Sequence, residues 1–493
     1  MSSLQRRNAR FLVGFAGLLC LLLALWQLAA AGRGLEITTV RSTTPPLTIG
    51  APAGATPGSR PLVLIAHGFA GSGMVMRAFA FTLAHAGYAT VSWDFGGHGA
   101  NPNAMGAQPL MADAEAALAE AKRLGLVTPG RVAILGHSMG TGVALQFGQT
   151  YPDTAATIAV SPVGQTVTKD LPRNLLLMAG SNEQSFLRNA ETRLAEAGGA
   201  GGDPKNGTAR KLTVINGVEH MTILFAPATH HAAVAWLDAT FGPQPGATAY
   251  TDVRMASYAL GVLGVLLIAA VLASLLWRGD AEPGEKPKRP LWRRLAALVG
   301  GALAATLLLW LAGKAGLGLR ALFGLLVGGY VMLWFAVGGV IALLLLWTWP
   351  GLPSRRAVLG GLLAFAALWL GVGLLAEFVW YPWLLIWPRL RLWPLAVVFL
   401  LPWFMAVGQV VGGSGLRSQL GRWLVQSIVL VAGLFLALRL TPDIGFLMLI
   451  LPALPVLFLI HALATASQRG WWPVALSGAL FTSWILLAIF PLQ

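Results

Sequence analysis

The second half of the chain is dominated by long apolar runs. They lie at about 255–277, 295–313, 323–348, 357–379, 392–413, 423–438, 444–466 and 471–490, and an earlier run spans Phe11 to Ala31. Most approach the twenty or so residues that an α-helix needs to cross hydrocarbon. Only 11% of the chain is charged, against about 25% in soluble domains. The sequence therefore predicts about eight transmembrane helices in 251–493, besides the N-terminal run.

The N-terminal run follows Arg6, Arg7 and Arg10. Its length favours an uncleaved signal anchor over residues 1–32, although the small residues Ala29–Ala31 would also suit cleavage of a signal peptide. In either case the following segment, residues 33–250, is expected outside the cytoplasm.

Basic residues are distributed as topology signals. The net charge is +15, but residues 33–254 carry 15 Lys+Arg and 14 Asp+Glu. With the N-terminus placed inside, the predicted cytoplasmic segments hold 14 of the other basic residues and the outer ones 5, with Arg278–Arg294 as the strongest anchor. This pattern argues against nucleic-acid binding and predicts an integral protein of a bacterial inner membrane with a periplasmic domain.

Residues 33–250 alternate short apolar runs with amphipathic ones. Strands are predicted at 62–66, 89–93, 132–135, 156–160, 175–178 and 212–215, and helices at about 74–86, 109–125, 139–150, 184–197 and 228–240. Such alternation predicts an α/β domain with a mostly parallel sheet covered by helices. The fold class expected for the whole chain is this α/β domain followed by an all-α transmembrane bundle.

A Gly-His-Ser-Met-Gly motif at 136–140 joins a predicted strand to a predicted helix. A serine between two glycines in that position is typical of a nucleophile elbow, because the tight turn lifts the hydroxyl above the sheet. Ser138 is the candidate nucleophile; the alternative is an ordinary turn with a capping serine.

Further motifs follow in an order that resembles the α/β-hydrolase family over residues 60–240. His67-Gly68-Phe69 resembles the family's HG-x turn, and 94–99 (DFGGHG) resembles its D-x-x-G-x-G loop. The resemblance implies that the backbone N–H groups of Phe69 and Met139 form the oxyanion hole. His67, His98 and His137 are expected to shape loops.

The resemblance also implies positions for the acid and the base. Glu183 follows the strand at 175–178 where the family usually has Asp, and His220 follows the last strand. Asp170, Asp203 and Glu219 are the other candidate acids. His230 and His231, on a predicted helix, are expected at a surface or interface.

Only about fourteen residues, 161–174, connect two strands between which many α/β-hydrolases insert a lid. We therefore expect a minimal domain whose lid is replaced by outer loops or lipid. The stretch Trp380–Trp393 is interpreted as an aromatic belt at the outer membrane interface. Gln409, His461 and Ser477, within apolar runs, are expected to form interhelical hydrogen bonds.

Together these features predict a membrane-anchored serine hydrolase acting on an ester or thioester, with a small-molecule or lipid acyl substrate. Acyl transfer and peptide cleavage would use the same triad. Two other classes of protein remain as alternatives: a transporter with a non-catalytic hydrolase-like domain, and a structural scaffold. No metal or organic cofactor is implied, and the single cysteine, Cys20, permits no intrachain disulfide.

Overall fold

The computed structural model describes residues 3–276, 289–347, 351–411, 413, 415–468 and 470–493. The chain forms two compact units. The sheet unit comprises Leu25–Tyr258 together with Glu377–Pro382. The helical unit comprises Met1–Ala24, Ala259–Ala376 and Trp383–Gln493.

One eight-stranded sheet is the centre of the sheet unit. Its strands are β1 (Leu35–Val40), β2 (Leu47–Pro52), β3 (Leu62–Ala66), β4 (Ala89–Trp93), β5 (Val132–His137), β6 (Thr154–Val160), β7 (Leu175–Gly180) and β8 (Arg210–Ile215). They lie in the order β1-β2-β4-β3-β5-β6-β7-β8. Strands β3 to β8 are parallel, whereas β1 and β2 join one edge antiparallel.

Helices cover both faces of this sheet. Helix α1 (Ser3–Ala31) precedes it, and the connections contain α2 (Arg77–His85), α3 (Leu110–Arg123), α4 (Met139–Thr150), α5 (Gln184–Glu196) and α6 (Pro227–Phe241). Leu62 and Leu64 of β3 pack in one core with residues of α3 and α4. Val63 and Ile65 point to the opposite face because side chains alternate along a strand, and they are fully buried too. Burial of both faces explains why β3 is apolar throughout.

The observed elements confirm the expected α/β fold with a mostly parallel sheet. Every strand and helix predicted between residues 62 and 241 is present, with shifts of a few residues at the ends. Strands β1 and β2 were not predicted. Strand β1 is largely exposed and carries Glu36, Thr38 and Thr39, so it lacks the apolar run that identified the central strands.

The helical unit consists mainly of long apolar helices. The helices from residue 254 onward, of which α11 and α12 are short, are α7 (Arg254–Leu276), α8 (Leu291–Lys314), α9 (Gly328–Leu346), α10 (Arg355–Leu368), α11 (Leu374–Val379), α12 (Trp387–Leu390), α13 (Trp393–Val410), α14 (Leu416–Leu440), α15 (Ala453–Ala464) and α16 (Trp472–Ile489). Within the described ranges, eight helices of the chain are long and apolar enough to cross a membrane. The number is nine if the bent pair Pro442–Met448 and Ala453–Ala464 is one span. Residues 278–288 of the predicted basic anchor Arg278–Arg294 lie outside the described residues.

Some polar side chains inside the helical unit pair with one another or with the backbone. His461 Nε2 lies 2.9 Å from Ser477 Oγ, which joins α15 to α16. Trp334 Nε1 donates to Thr306 Oγ1 at 2.9 Å and joins α9 to α8. These bonds agree with the interhelical role expected for His461 and Ser477, whereas the Gln409 amide donates to the carbonyl of Met405 in its own helix.

Candidate active site

Ser138 stands at a sharp turn between β5 and α4. Its φ of 50° and ψ of −119° are rare for a residue with a Cβ and cost of order 1–3 kcal/mol. Both flanking glycines are required by close backbone approach. A Cβ on Gly136 would lie 2.2 Å from the carbonyl oxygen of Gly140, and one on Gly140 would lie 2.5 Å from that of Ala66. The motif thus forms the elbow expected from the sequence.

His220 lies within hydrogen-bond distance of the serine hydroxyl. Its Nε2 is 3.0 Å from Ser138 Oγ, and its Nδ1 is 3.0 Å from Glu183 Oε2. Ser138, His220 and Glu183 are 7%, 7% and 6% exposed. A carboxylate can only accept hydrogen bonds, so Nδ1 carries the ring hydrogen and Nε2 is left to accept the serine proton. The structure brings the three predicted residues together, and their catalytic role remains a prediction.

The carboxylate of Glu183 is held by two further donors. Its Oε1 accepts the backbone N–H of Gly180 at 2.6 Å and the hydroxyl of Ser161 at 2.8 Å. The longer side chain of glutamate, compared with aspartate, folds back over its own loop to reach Gly180. Glu183 immediately precedes α5, but its side chain points to these partners and to His220, so it is more than an acid placed at a helix start.

Ser161 was not identified from the sequence. It directly follows β6, is fully buried and has a φ of 54°. Its position after β6 could have indicated it. In the sheet, β6 lies between β5, which is followed by the nucleophile, and β7, whose following loop carries the acid. A hydroxyl at the C-terminal end of that strand can reach the loop after either neighbour.

The other candidate acids are engaged elsewhere. Glu219 accepts the backbone N–H groups of Met221 and Thr222 at 3.0 and 2.8 Å, which caps the turn next to His220. Asp203 accepts the N–H of Lys205 at 3.0 Å. The charge of Asp170 acts on Arg210, where it opposes the lowering of the guanidinium pKa by burial. Glu183 alone among the four contacts the imidazole.

Two side chains fix the imidazole of His220 from outside the triad. The Nε2 of His137 donates to the backbone carbonyl of His220 at 3.1 Å, and the ring of Phe186 stacks on the imidazole at 4.1 Å between centroids. Burial, followed by the neighbouring His220, lowers the pKa of His137 well below 6.5. His137 is therefore neutral and acts as a hydrogen-bond donor. Phe186 was not anticipated; it is three residues after Glu183 and so one helical turn away.

The predicted oxyanion loop lies directly against the nucleophile. A Cβ on Gly68 would lie 3.1 Å from Ser138 Cβ, and the N–H of Gly71 donates to the carbonyl of Gly68 at 3.1 Å, which closes a turn around Phe69 and Ala70. Met139 is the first residue of α4, where backbone N–H groups have no partner within the helix. Both predicted donors thus flank Ser138, and their role in stabilising an oxyanion remains a prediction.

His67 and Asp94 tie the neighbouring loops together. The Nδ1 of His67 donates to the carbonyl of Gly68 at 2.7 Å, and its Nε2 accepts the N–H of Phe95 at 3.0 Å. Burial lowers the pKa of His67, so one ring nitrogen stays free to accept. Asp94 accepts the N–H groups of Gly73 and Ala100 at 2.8 and 2.7 Å. These bonds fit the loop-shaping role expected for His67.

Of the surface or interface position expected for His230 and His231, the surface part is wrong for His230. His231 is exposed, but His230 is buried, its Nε2 lies 2.8 Å from the carbonyl of Leu224, and its ring packs on Phe79. Residues 161–174, all described by the structure, contain no helix, in agreement with the expected lack of a helical lid there.

Comparisons with known proteins agree with this fold. Residues 57–200 match the Hydrolase_4 family model, described as serine aminopeptidase, S33. The uncharacterized protein Rv2307c of Mycobacterium tuberculosis (strain ATCC 25618 / H37Rv) is 32% identical over 126 residues, 24% of this chain. The chain spans 45% of the length of that relative. The matched family region includes Ser138 and Glu183, whereas His220 lies beyond it.

Three of the solved structures similar to the chain are described as hydrolases of different kinds. A CIB-like hydrolase from Thermoplasma acidophilum is 18% identical, with a TM-score of 0.32 over 41% of this chain and 97% of its own. A membrane phospholipase A, described as a bacterial virulence factor, is 15% identical, with a TM-score of 0.34 over 48% and 96%. A soluble variant of monoglyceride lipase from Saccharomyces cerevisiae is 14% identical, with a TM-score of 0.30 over 43% and 96%.

Proposed function

We propose that this chain, whose residues 35–241 form an α/β-hydrolase domain, is a membrane-bound serine hydrolase that cleaves carboxylic esters or thioesters through an acyl-enzyme on Ser138. The observation that carries the proposal is the relay of two 3.0 Å contacts from Ser138 Oγ through His220 to Glu183. A nucleophile, a base and a group that orients the base are the arrangement that acyl transfer requires.

The first half of the reaction follows from these contacts. His220 Nε2 takes the proton of Ser138 as Oγ attacks the acyl carbon and the carbonyl π electrons move to oxygen. Glu183 stabilises the imidazolium that forms. The N–H groups of Phe69 and Met139 are proposed to stabilise the resulting oxyanion, and loss of one such donor typically lowers the rate by about 10²–10³.

The leaving group then departs, and water completes the reaction. The tetrahedral intermediate collapses, the bond to the leaving alcohol or thiol breaks, and His220 donates its proton to that leaving group. Water then attacks the acyl-enzyme with His220 as base, and the carboxylic acid and free Ser138 are regenerated. Every proton in this cycle is carried by His220.

Membrane integration is proposed from the apolar helices. Among the residues that the structure describes, eight segments are long and apolar enough to cross a bilayer. Their basic flanks favour an N-terminus inside and a hydrolase domain outside the cytoplasm. A domain held at the membrane in this way meets lipid-linked acyl groups at high local concentration. We therefore propose lipid or lipid-linked acyl esters as the first substrate class to examine.

Fluorophosphonate labelling tests the proposal. Membranes carrying the wild type, Ser138→Ala and His220→Ala are treated with the probe, and covalent labelling is measured. Labelling of the wild type, and of neither Ser138→Ala nor His220→Ala, supports an activated serine. Ser59→Ala is a matched control, because Ser59 is exposed and its hydroxyl bonds only within a local turn; it should label like the wild type. A correctly inserted wild type that does not label would overturn the proposal.

A peptidase is the second candidate, since the matching family is described as a serine aminopeptidase. The same triad cleaves both bond types, but an amide leaves only after its nitrogen has been protonated by His220. Activated esters are therefore cleaved by either class of enzyme and belong first in a substrate panel. Aminoacyl arylamides come next: turnover of these at rates comparable to the best ester would favour the peptidase.

A further inference from the structure

The segment Glu377–Pro382 is part of the sheet unit although it is far from the rest of that unit in sequence. We call this segment the brace. It follows the start of α11 and precedes α12, within a region interpreted from sequence as an aromatic belt. Tyr381 and Trp383 are only 9% and 5% exposed, so these two side chains are buried within the protein.

Tyr381 reaches the predicted oxyanion turn. Its hydroxyl donates to the backbone carbonyl of Ala70 at 2.8 Å. Ala70 directly follows Phe69 and has a φ of 58°, a left-handed conformation that an alanine adopts at a cost in energy. A hydrogen bond to its carbonyl fixes the peptide plane on one side of the turn Gly68–Gly71.

The side chain of Arg77 bonds to the backbone of the brace. One guanidinium nitrogen of Arg77, at the start of α2, donates to the carbonyls of Glu377 and Phe378 at 3.0 and 3.3 Å. The helix α2 begins six residues after the turn that holds Ala70. The start of the brace is thus bonded to α2, and Tyr381 is bonded to the turn that precedes α2.

Trp380 links the brace to the turn that follows His220. Its indole packs edge-on against Phe225 at 6.4 Å between centroids, and against Tyr258 at 6.2 Å. Phe225 ends the short helical turn Thr222–Phe225 that follows His220. The brace therefore contacts the chain segments next to both the predicted oxyanion donor and the predicted base.

We propose that the brace positions the active site, with Tyr381 as a positioning residue that acts through Ala70 on the N–H of Phe69. This inference rests on the proposed hydrolase function. The hydroxyl of Tyr381 acts through the carbonyl of Ala70. It holds the turn in the conformation in which the Phe69 N–H faces the oxyanion, and this benefit appears only as negative charge develops.

Tyr381→Phe in the full-length protein tests the proposal, because it removes one oxygen and keeps the ring. We expect kcat for a p-nitrophenyl ester to fall about 2- to 12-fold with KM unchanged, the range for loss of one neutral hydrogen bond. Inhibition by a trifluoromethyl ketone, which forms an oxyanion on the serine, should weaken by the same factor. The pH dependence of kcat should keep its midpoint because His220 is untouched.

Tyr151→Phe is the matched control. The hydroxyl of Tyr151 donates to Glu115 at 3.1 Å, at the end of α4 opposite to Ser138, so its loss should leave kcat and inhibition unchanged. Equal kcat values for Tyr381→Phe and wild type, or an equal fall in Tyr151→Phe, would overturn the role of the brace. Failure of the proposed hydrolase function would be recognised separately, because the fluorophosphonate would then not label the wild type.

Discussion

Replacement of Glu183 by glutamine tests the triad at the atom that sets the histidine tautomer. The glutamine side chain has one oxygen and one NH₂ group in place of two equivalent oxygens. In the native site Oε1 accepts from Gly180 and Ser161, and Oε2 accepts from His220. The amide must therefore present its NH₂ group either to the Gly180 side or to the imidazole.

The backbone decides between these two orientations. The hydroxyl of Ser161 can rotate to accept a hydrogen bond, but the N–H of Gly180 can only donate. An NH₂ group facing Gly180 would leave a buried donor unsatisfied, which costs about 1–3 kcal/mol and favours the other orientation about 5- to 150-fold. The NH₂ group then donates to Nδ1 of His220, so the ring hydrogen moves to Nε2, and Nε2 can no longer accept the proton of Ser138.

We expect Glu183→Gln to lower kcat by about 10⁴, the loss seen when the acid of a Ser-His-Asp triad becomes an amide. Hydrolysis of a p-nitrophenyl ester by the purified full-length protein measures this loss, and the rate of fluorophosphonate labelling should fall in parallel. Glu183→Asp keeps the charge and should retain far more activity.

Glu196→Gln is the control at the other end of α5, where the Oε2 atom of Glu196 accepts the N–H of Val167 at 3.2 Å. Its activity should stay close to that of the wild type. Activity of Glu183→Gln within tenfold of the wild type would refute both the tautomer argument and the assignment of Glu183 as the triad acid.

Two further predictions concern stability. Gly140→Ala would bring a Cβ within 2.5 Å of backbone oxygen at the end of β3, whereas a Cβ on Gly142, in the same helix, meets nothing within 4 Å. Thermal unfolding should show Gly140→Ala destabilised by about 1–3 kcal/mol or more. Gly142→Ala should be as stable as the wild type or more stable. Burial lowers the pKa of His67, His137 and His230 below 6.5, so the unfolded chain binds protons that the folded chain does not. Stability should therefore fall as pH drops below 6.5, by at most about 1.4 kcal/mol per pH unit for each histidine. The apparent melting temperature in detergent should be lower at acidic than at neutral pH, and His230→Gln should reduce the difference; equal values would contradict the argument.

The central strands and the triad could be predicted from the sequence because their signals are local. Each buried strand is an apolar run, and Ser138, Glu183 and His220 each directly follow such a run or lie a few residues beyond it. In a parallel sheet these carboxyl ends meet at one edge. The order of three local signals was therefore enough to predict which side chains approach one another.

Contacts between distant segments could not be predicted in this way. Nothing near Tyr381 in the sequence indicates its hydrogen bond to Ala70, which is 311 residues away. Aromatic residues with a polar group suit both a membrane interface and a buried site where that group finds a partner, so composition did not distinguish them. Ser161 was missed for a similar reason, because a serine after a strand is ordinary until the neighbouring loop is known.

The discontinuity of the sheet unit has a consequence for synthesis. Residues Leu25–Tyr258 leave the ribosome before the brace, which follows only after the intervening helices. At about 5–20 residues per second, the intervening stretch of about 120 residues takes about 6 to 24 s to synthesise. The nascent domain must wait that long for Tyr381, so its first complete form can exist only after several apolar helices have been made.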